Sequence, residues 1–294
     1  MTVLPLIFVF YALLLLDAGF VLMTGCVLLA NNVPCLKVLL KYGKTLQKGD
    51  LNARLNRVLG QLYVPKSFFK HFYVLDLIFC SANIYILKYG FKEYLQLEDT
   101  GEVIPRYSAI SKHQFQILAS MMFLQSSRRV YECFYVSTFS NTAKIHVSHY
   151  LVGCYFYLGV NLEPLLCYLL GHNSGNIDAV NREKWPLLEF FAIVLFSFAS
   201  IDQYENHLYL SHLVKYNVPR QRLFRYLSCP HYLDEILIYL SCFLVLRTPE
   251  SFLVFAWTLV NLSCSANQSY QFYTQKSEDL KQRTNYWRIL PFLY

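Results

Sequence analysis

The stretch VLPLIFVFYALLLLDAGFVLMTGCVLLA, from Val3 to Ala30, carries Asp17 as its only charge. About 20 apolar residues are enough for a helix to cross a bilayer, so this run is read as a membrane-spanning helix. It is too long and too apolar for a cleavable signal peptide, lacks a basic start and shows no obvious cleavage site. An uncleaved signal anchor is the expectation.

Further along, apolar runs recur at Phe72–Tyr89, interrupted by Asp76, at Phe115–Ser140, which carries Arg128, Arg129 and Glu132, and at Val147–Gly171. Leu187–Ser200 follows and continues into a polar helical stretch, Asp202–Lys215. Leu233–Leu246 and Phe252–Cys264 flank Thr248-Pro249-Glu250 and read as two short spans or one broken hairpin. The count is six to seven transmembrane helices. No repeat or linker divides the chain, so residues 1–294 are expected to form one all-α, polytopic membrane-embedded domain.

Composition supports this reading. Of 294 residues, 55% are hydrophobic and only 15% charged, against roughly 25% charged in an ordinary soluble domain, and mean hydropathy is +0.31. A disordered chain needs the reverse balance. A soluble globule has too little interior for this much apolar surface. The net charge of +7 is concentrated in loops, above all Lys37–Lys70, which is placed on the cytosolic side facing anionic headgroups. That distribution argues against nucleic acid and leaves cations available for a phosphate-bearing ligand. The nine cysteines include no CxxC pair, so zinc and thioredoxin-type sites have no support. Neither GxGxxG nor a P-loop is present, and the polar loops are too short for a Rossmann domain. Any nucleotide must be held by the helical bundle itself. Asn261 and Asn267 match the glycosylation sequon, and both are expected to be unused.

Charged groups in a membrane segment each cost roughly 2.5–3.5 kcal/mol on insertion scales, so they pair or do work. Arg128 and Glu132 are four apart and share a helix face; an internal ion pair and an Arg presented to a phosphate or polarised carbonyl both remain open. Gln203 and His207, also four apart beside Asp202 and Glu205, fit either a solvated helix extension or a ring of polar groups around a nucleotide. His231 and Glu235 repeat the spacing behind Pro230, which suits a first helical turn. They fit helix-start chemistry, or a His and a Glu on one face as metal ligands. No third metal ligand stands at a usual spacing, and no metal is expected.

Several strings, in order along nearly the whole chain, resemble the steroid 5α-reductase family, most closely its polyprenal (polyprenol) reductase branch. They are Leu40–Thr45; Val64-Pro65-Lys66 with Phe69 and His71-Phe72-Tyr73; Arg128–Cys133 with Val136-Ser137, Phe139-Ser140-Asn141 and Ile145-His146-Val147; Phe224, Tyr226, Ser228, Pro230–Leu233 and Glu235; Ser269–Tyr273; and Leu290-Pro291-Phe292. The resemblance implies a seven-helix enzyme of the endoplasmic reticulum membrane that binds NADPH within the bundle. The reaction implied is saturation of the α-isoprene double bond of polyprenal to dolichal, on the route to the dolichol used in protein N-glycosylation. The implied partners are a long-chain isoprenoid and membrane lipids. Steroid or enoyl-thioester reduction, or an inactive lipid-binding relative, are the alternatives.

By the same resemblance, His71 falls near a substrate-facing position and Tyr73 lies beside it; these two are expected to orient or protonate substrate. Arg129, His207, His231, Glu235 and Tyr273 match cofactor-side positions, and Gln203 joins them through its spacing from His207. The tyrosine that the steroid enzymes place before the central Arg falls here on Leu124 or Ser126, which argues against a steroid substrate. An Arg and a Gly of the family are absent around Asn217–Gln221, where Arg220 or Arg222 is expected to replace the lost charge.

Overall fold

The computed structural model describes residues 2–33, 36, 62–90, 95–98, 109–138, 143–173, 186–214, 217–283 and 285–290. Most of the expected basic loop, the Leu40–Thr45 string, Phe139-Ser140-Asn141 and Pro291-Phe292 lie outside them. The described elements are β1 (Thr2–Pro5), α1 (Leu6–Asn32), β2 (Tyr63–Pro65), a 3-10 turn (Lys66–Phe68), α2 (Phe69–Tyr89), β3 (Leu95–Glu98), α3 (Lys112–Tyr131), a π-helical turn (Glu132–Val136), β4 (Lys144–His146), α4 (Val147–Asn173), α5 (Pro186–His212), a second 3-10 turn (Arg222–Arg225), α6 (Pro230–Leu246), α7 (Pro249–Lys276) and α8 (Glu278–Gln282).

The bundle is all-α, as the sequence predicts. Its only sheets among the described residues are two ladders of two short strands, β1 parallel to β3 and β2 antiparallel to β4, the latter with Tyr63 opposite His146. Among the described residues, four helical stretches are long and apolar enough to cross a membrane: Ile7–Asn32, Lys66–Tyr89, Val147–Gly171 and Pro186–His212. Three further helices bring the long helices among the described residues to seven, but α6 has only 17 residues and α3 and α7 carry many polar groups. Those groups are the ones the site needs.

Helix ends follow local chemistry. Ser111 caps α3 and Thr248 caps α7, each in a capping box with the residue three further on, Gln114 and Ser251; the cap side chain and the third residue satisfy each other's orphan N–H groups. Pro230 and Pro249 sit in the first turns of α6 and α7. Arg247 adopts φ 57° between them, so the segment around Thr248-Pro249-Glu250 is a tight reversal between two separate helices.

Phe8, Leu15, Leu22 and Leu29 line an exposed face of α1 at seven-residue intervals, while Val9, Leu13, Leu16 and Phe20 are buried. An apolar face turned outward suits lipid. Inside, α1 packs on α4 and α7, α2 on α3 and α4, α5 on α6, and α6 on α7. Between α2, α3 and α4, Asp76 accepts from Ser126 at 2.5 Å and from the Asn161 amide at 2.7 Å. This buried tie holds the three helices one turn behind the residues that face the site.

Candidate active site

Six of the eight expected site residues line one cavity of about 330 Å³: Tyr73, Arg129, Gln203, His207, His231 and Glu235. That volume is in the range of ligand pockets. Four helices supply these six residues. Tyr73 comes from α2, Arg129 from α3, Gln203 and His207 from successive turns of α5, and His231 and Glu235 from successive turns of α6.

The polar end is organised around two buried groups, Glu132 and Gln203, with 0% and 1% exposure. Arg128 and Arg129 both donate to Glu132. His207 Nδ1 lies 2.7 Å from the same carboxylate and 2.6 Å from Arg129. Glu132 opens the π-helical turn and serves all three partners; such bulges recur at functional sites. Gln203 Oε1 accepts from Arg128 and, at 3.3 Å, from Gln125. Its Nε2 donates to Glu235 and, at 3.2 Å, to the His231 carbonyl. Both donors and both acceptor positions of one side chain are therefore used to join α3, α5 and α6.

Arg129 also donates to the Tyr73 hydroxyl at 2.6 Å and lies 4.5 Å above its ring. Since Arg129 is the donor, the phenol keeps its own proton to give. The remaining wall is aromatic and apolar: Phe72, Phe156, Tyr157, Tyr239 and Trp257. Thr258 and Asn261 enter from α7.

The other two expected residues lie elsewhere. His71 is exposed, with Nδ1 3.1 Å from the Tyr150 hydroxyl and its ring 4.6 Å from Phe68. It is two residues from Tyr73, and at about 100° per residue the two side chains leave α2 on opposite sides. Tyr273 packs with Leu280 and Tyr286 in a separate cluster. It lies eight residues beyond Ser265, which does line the cavity, so it is about 12 Å further along α7. Burial raises the Tyr286 phenol above its ordinary value, and that cluster stays uncharged.

Leu124 is exposed, and Ser126 is spent on Asp76; neither offers a phenol to the cavity. Arg222 pairs with Asp202 and, at 3.5 Å, with Glu205, while Arg220 reaches Asp279 at 3.4 Å. Asn267 accepts from Arg288 at 2.7 Å, and Asn261 faces the cavity. Among the described residues no three His, Cys, Asp or Glu side chains group as metal donors. Tyr157, Tyr239 and Thr258 were not singled out from the sequence. Tyr239 had a usable signal, because it stands four residues after Glu235 and so on the same face of α6.

Comparison with known proteins adds three findings. The family model described as 3-oxo-5-alpha-steroid 4-dehydrogenase matches residues 168–294. A Saccharomyces cerevisiae protein named polyprenal reductase is 32% identical over 262 residues, covering 88% of this chain and 87% of its own. Proteins of the same name from Rattus norvegicus and Homo sapiens are 30% and 28% identical, covering 87% and 93% of this chain and 86% and 88% of theirs.

Proposed function

Because the chain belongs to the steroid 5α-reductase family, in its polyprenal reductase branch, and is thereby an oxidoreductase acting on a C=C bond, we propose that it reduces the α-isoprene double bond of polyprenal with NADPH. The product is dolichal, and the proposed setting is the endoplasmic reticulum membrane, in the supply of dolichol for protein N-glycosylation. The observation that carries the reading is a single cavity in which a hydrogen-bonding end and an aromatic end meet inside an apolar bundle.

The residues fit a nicotinamide. Its carboxamide both donates and accepts, and Glu235, His231 and Asn261 bring both kinds of group to the cavity. When bound, NADPH would supply a hydride to the β-carbon of the conjugated aldehyde. The balance is then two electrons and a hydrogen at the β-carbon, a proton at the α-carbon, and a retained aldehyde.

The chain's residues divide the remaining work. Arg129 holds Tyr73 by its oxygen and favours loss of the phenol proton, so Tyr73 is proposed as the proton donor to the α-carbon, resupplied from water. Gln203 fixes Glu235 at one position, which orients whatever Glu235 binds. Phe72, Phe156 and Trp257 exclude water, which strengthens every polar contact inside. His71 is proposed to act at the outer surface of α2 through Tyr150, and Tyr273 to brace α7 from its C-terminal cluster.

The test is incubation of membranes bearing the protein with polyprenal and NADPH, alongside NADH, a steroid enone and an enoyl thioester. The expected result is α-saturated product from polyprenal and NADPH in preference to the other pairs. Absence of that product, while a related enzyme forms it under the same conditions, overturns the proposal.

A further inference from the structure

We propose that Tyr157 and Tyr239 form a two-donor site for the carbonyl oxygen of the substrate, an assignment that rests on the reductase reading above. Both side chains are nearly buried, at 8% and 2% exposure, and both line the cavity. A buried tyrosine hydroxyl ordinarily finds a partner within the protein. Neither hydroxyl has a hydrogen bond to another described residue, although the Tyr157 carbonyl accepts from Asn161 at 2.9 Å. Two unused phenols facing one cavity call for an acceptor that comes from outside the chain.

Three of the neighbouring polar groups do not compete for that acceptor. Gln203 has all its positions engaged, Glu132 serves three cations or hydrogen-bond donors, and Arg129 is divided among Glu132, His207 and Tyr73. The two rings are held by packing. Phe156 contacts Tyr157 at 5.1 Å and Tyr239 at 5.3 Å between centroids, both edge-on, and Tyr73 stands edge-on to Tyr157 at 5.3 Å. The donors are thus fixed before a ligand arrives.

Position along α6 gives the ligand's class. Tyr239 lies one turn, about 6 Å, beyond Glu235 on the same face. It also borders a second, smaller cavity lined by Glu163 and Glu250, so it forms the floor of the larger one. A group seated there is flanked by Phe156 and Trp257, one turn away from the ionic end. A neutral, conjugated carbonyl suits this place, and a phosphate does not. Addition of hydride at the β-carbon moves the π electrons of the C=C bond toward the carbonyl oxygen. Two phenol O–H groups stabilise that oxygen as its charge grows, which is where preorganised donors contribute most.

The experiment compares the wild type with Tyr157→Phe, Tyr239→Phe and the double variant, purified in lipid nanodiscs. Loss of one such donor lowers kcat about 10²–10³-fold, with a smaller change in KM for polyprenal and unchanged NADPH affinity. A second readout needs no turnover: the carbonyl stretch of polyprenal labelled with carbon-13 at the aldehyde, bound without nucleotide. The stretch is expected at lower frequency in the wild type than in hydrocarbon solvent, and back at the solvent value in the double variant. If the wild type is active while both single variants keep more than half of kcat and the stretch does not move, the phenol pair is overturned and the reductase reading stands. If the wild type reduces no polyprenal with either nicotinamide, both fall. Should one variant fail to fold, the other and its infrared shift decide the question.

Discussion

Glu132 has no exposure and is bonded by Arg128, Arg129 and His207. Changing Glu132→Gln removes the one negative charge on which both guanidiniums close, while keeping the shape and one acceptor oxygen. The two arginines then stand in the bundle with 17% and 14% side-chain exposure, and the nearest remaining carboxylate, Glu235, is already bonded to Gln203. Removing one partner of a buried ion pair typically costs about 3–5 kcal/mol, most of it the penalty for the charge left behind. At roughly 2–4 °C per kcal/mol for a protein of this size class, the midpoint of thermal unfolding should fall by about 6–20 °C. Unfolding would be followed by tryptophan emission in nanodiscs. The double variant Glu132→Gln with Arg128→Met removes one of the two stranded charges as well and should recover part of the loss, because neighbours in one network are not additive. A Glu132→Gln midpoint within about 2 °C of wild type would show that the guanidiniums do not depend on this carboxylate, and the description of the network would be wrong.

Other substitutions test other parts of the molecule. Glu235→Gln keeps a group that can bond Gln203 but not the charge. Hydrogen bonds to charged groups contribute about 1.5–3 kcal/mol, so NADPH-dependent kcat/KM should drop about 10–100-fold, with a fall in the thermal midpoint smaller than that of Glu132→Gln; full activity would remove Glu235 from the cofactor site. Gly159→Ala would set a Cβ 2.7 Å from the Phe20 ring, which is fully buried between α1 and α4. Overpacking of this kind costs about 1–3 kcal/mol, and Phe20→Leu in the same chain should restore the midpoint; an unchanged midpoint for Gly159→Ala alone would refute the close approach. Asp76→Ala orphans one N–H of Asn161 and should cost about 1–3 kcal/mol, whereas Asp76→Asn, which retains an acceptor, should cost less; equal losses would contradict the hydrogen-bond account.

The helical membrane architecture was legible because an apolar run such as Val3–Ala30 has few physical alternatives. The pairs Arg128/Glu132, Gln203/His207 and His231/Glu235 were legible too, since four-residue spacing is a local property of a helix. That the three pairs meet was not. The bonds of Glu132 to His207 and of Gln203 to Arg128 and Glu235 span 75, 75 and 32 residues, and no local pattern encodes them. Phase decided the residues that fell elsewhere. His71 and Tyr73 belong to one string, yet half a helical turn separates their directions, and α2 turns only Tyr73 inward. Tyr273 shares α7 with Asn261 and Ser265 but lies beyond the cavity's reach. Tyr157 and Tyr239 were hidden among 24 tyrosines, most of which serve packing. The ladder between Tyr63–Pro65 and Lys144–His146 is three residues long, too short for alternation to announce it.

The polar end of the cavity is close to neutral in sum. Arg128 and Arg129 are offset by Glu132 and Glu235, and Gln203 separates the two carboxylates while bonding to one of them and to an arginine. A neutral cluster is tolerable among apolar helices, where an unbalanced charge is not. It also means that this end offers a ligand directed hydrogen bonds more than net charge. The proposed recognition of a carboxamide there, and the proposed stabilisation of a growing oxyanion by phenols one turn deeper, both depend on dipoles held in place before binding. The holding is done by side chains that never touch the ligand: Asp76 and Asn161 behind Tyr73 and Tyr157, and Gln125 behind Gln203. Geometry at the site therefore depends on polar ties buried one turn behind it, which is why a bundle with so few charged residues places so many of them together.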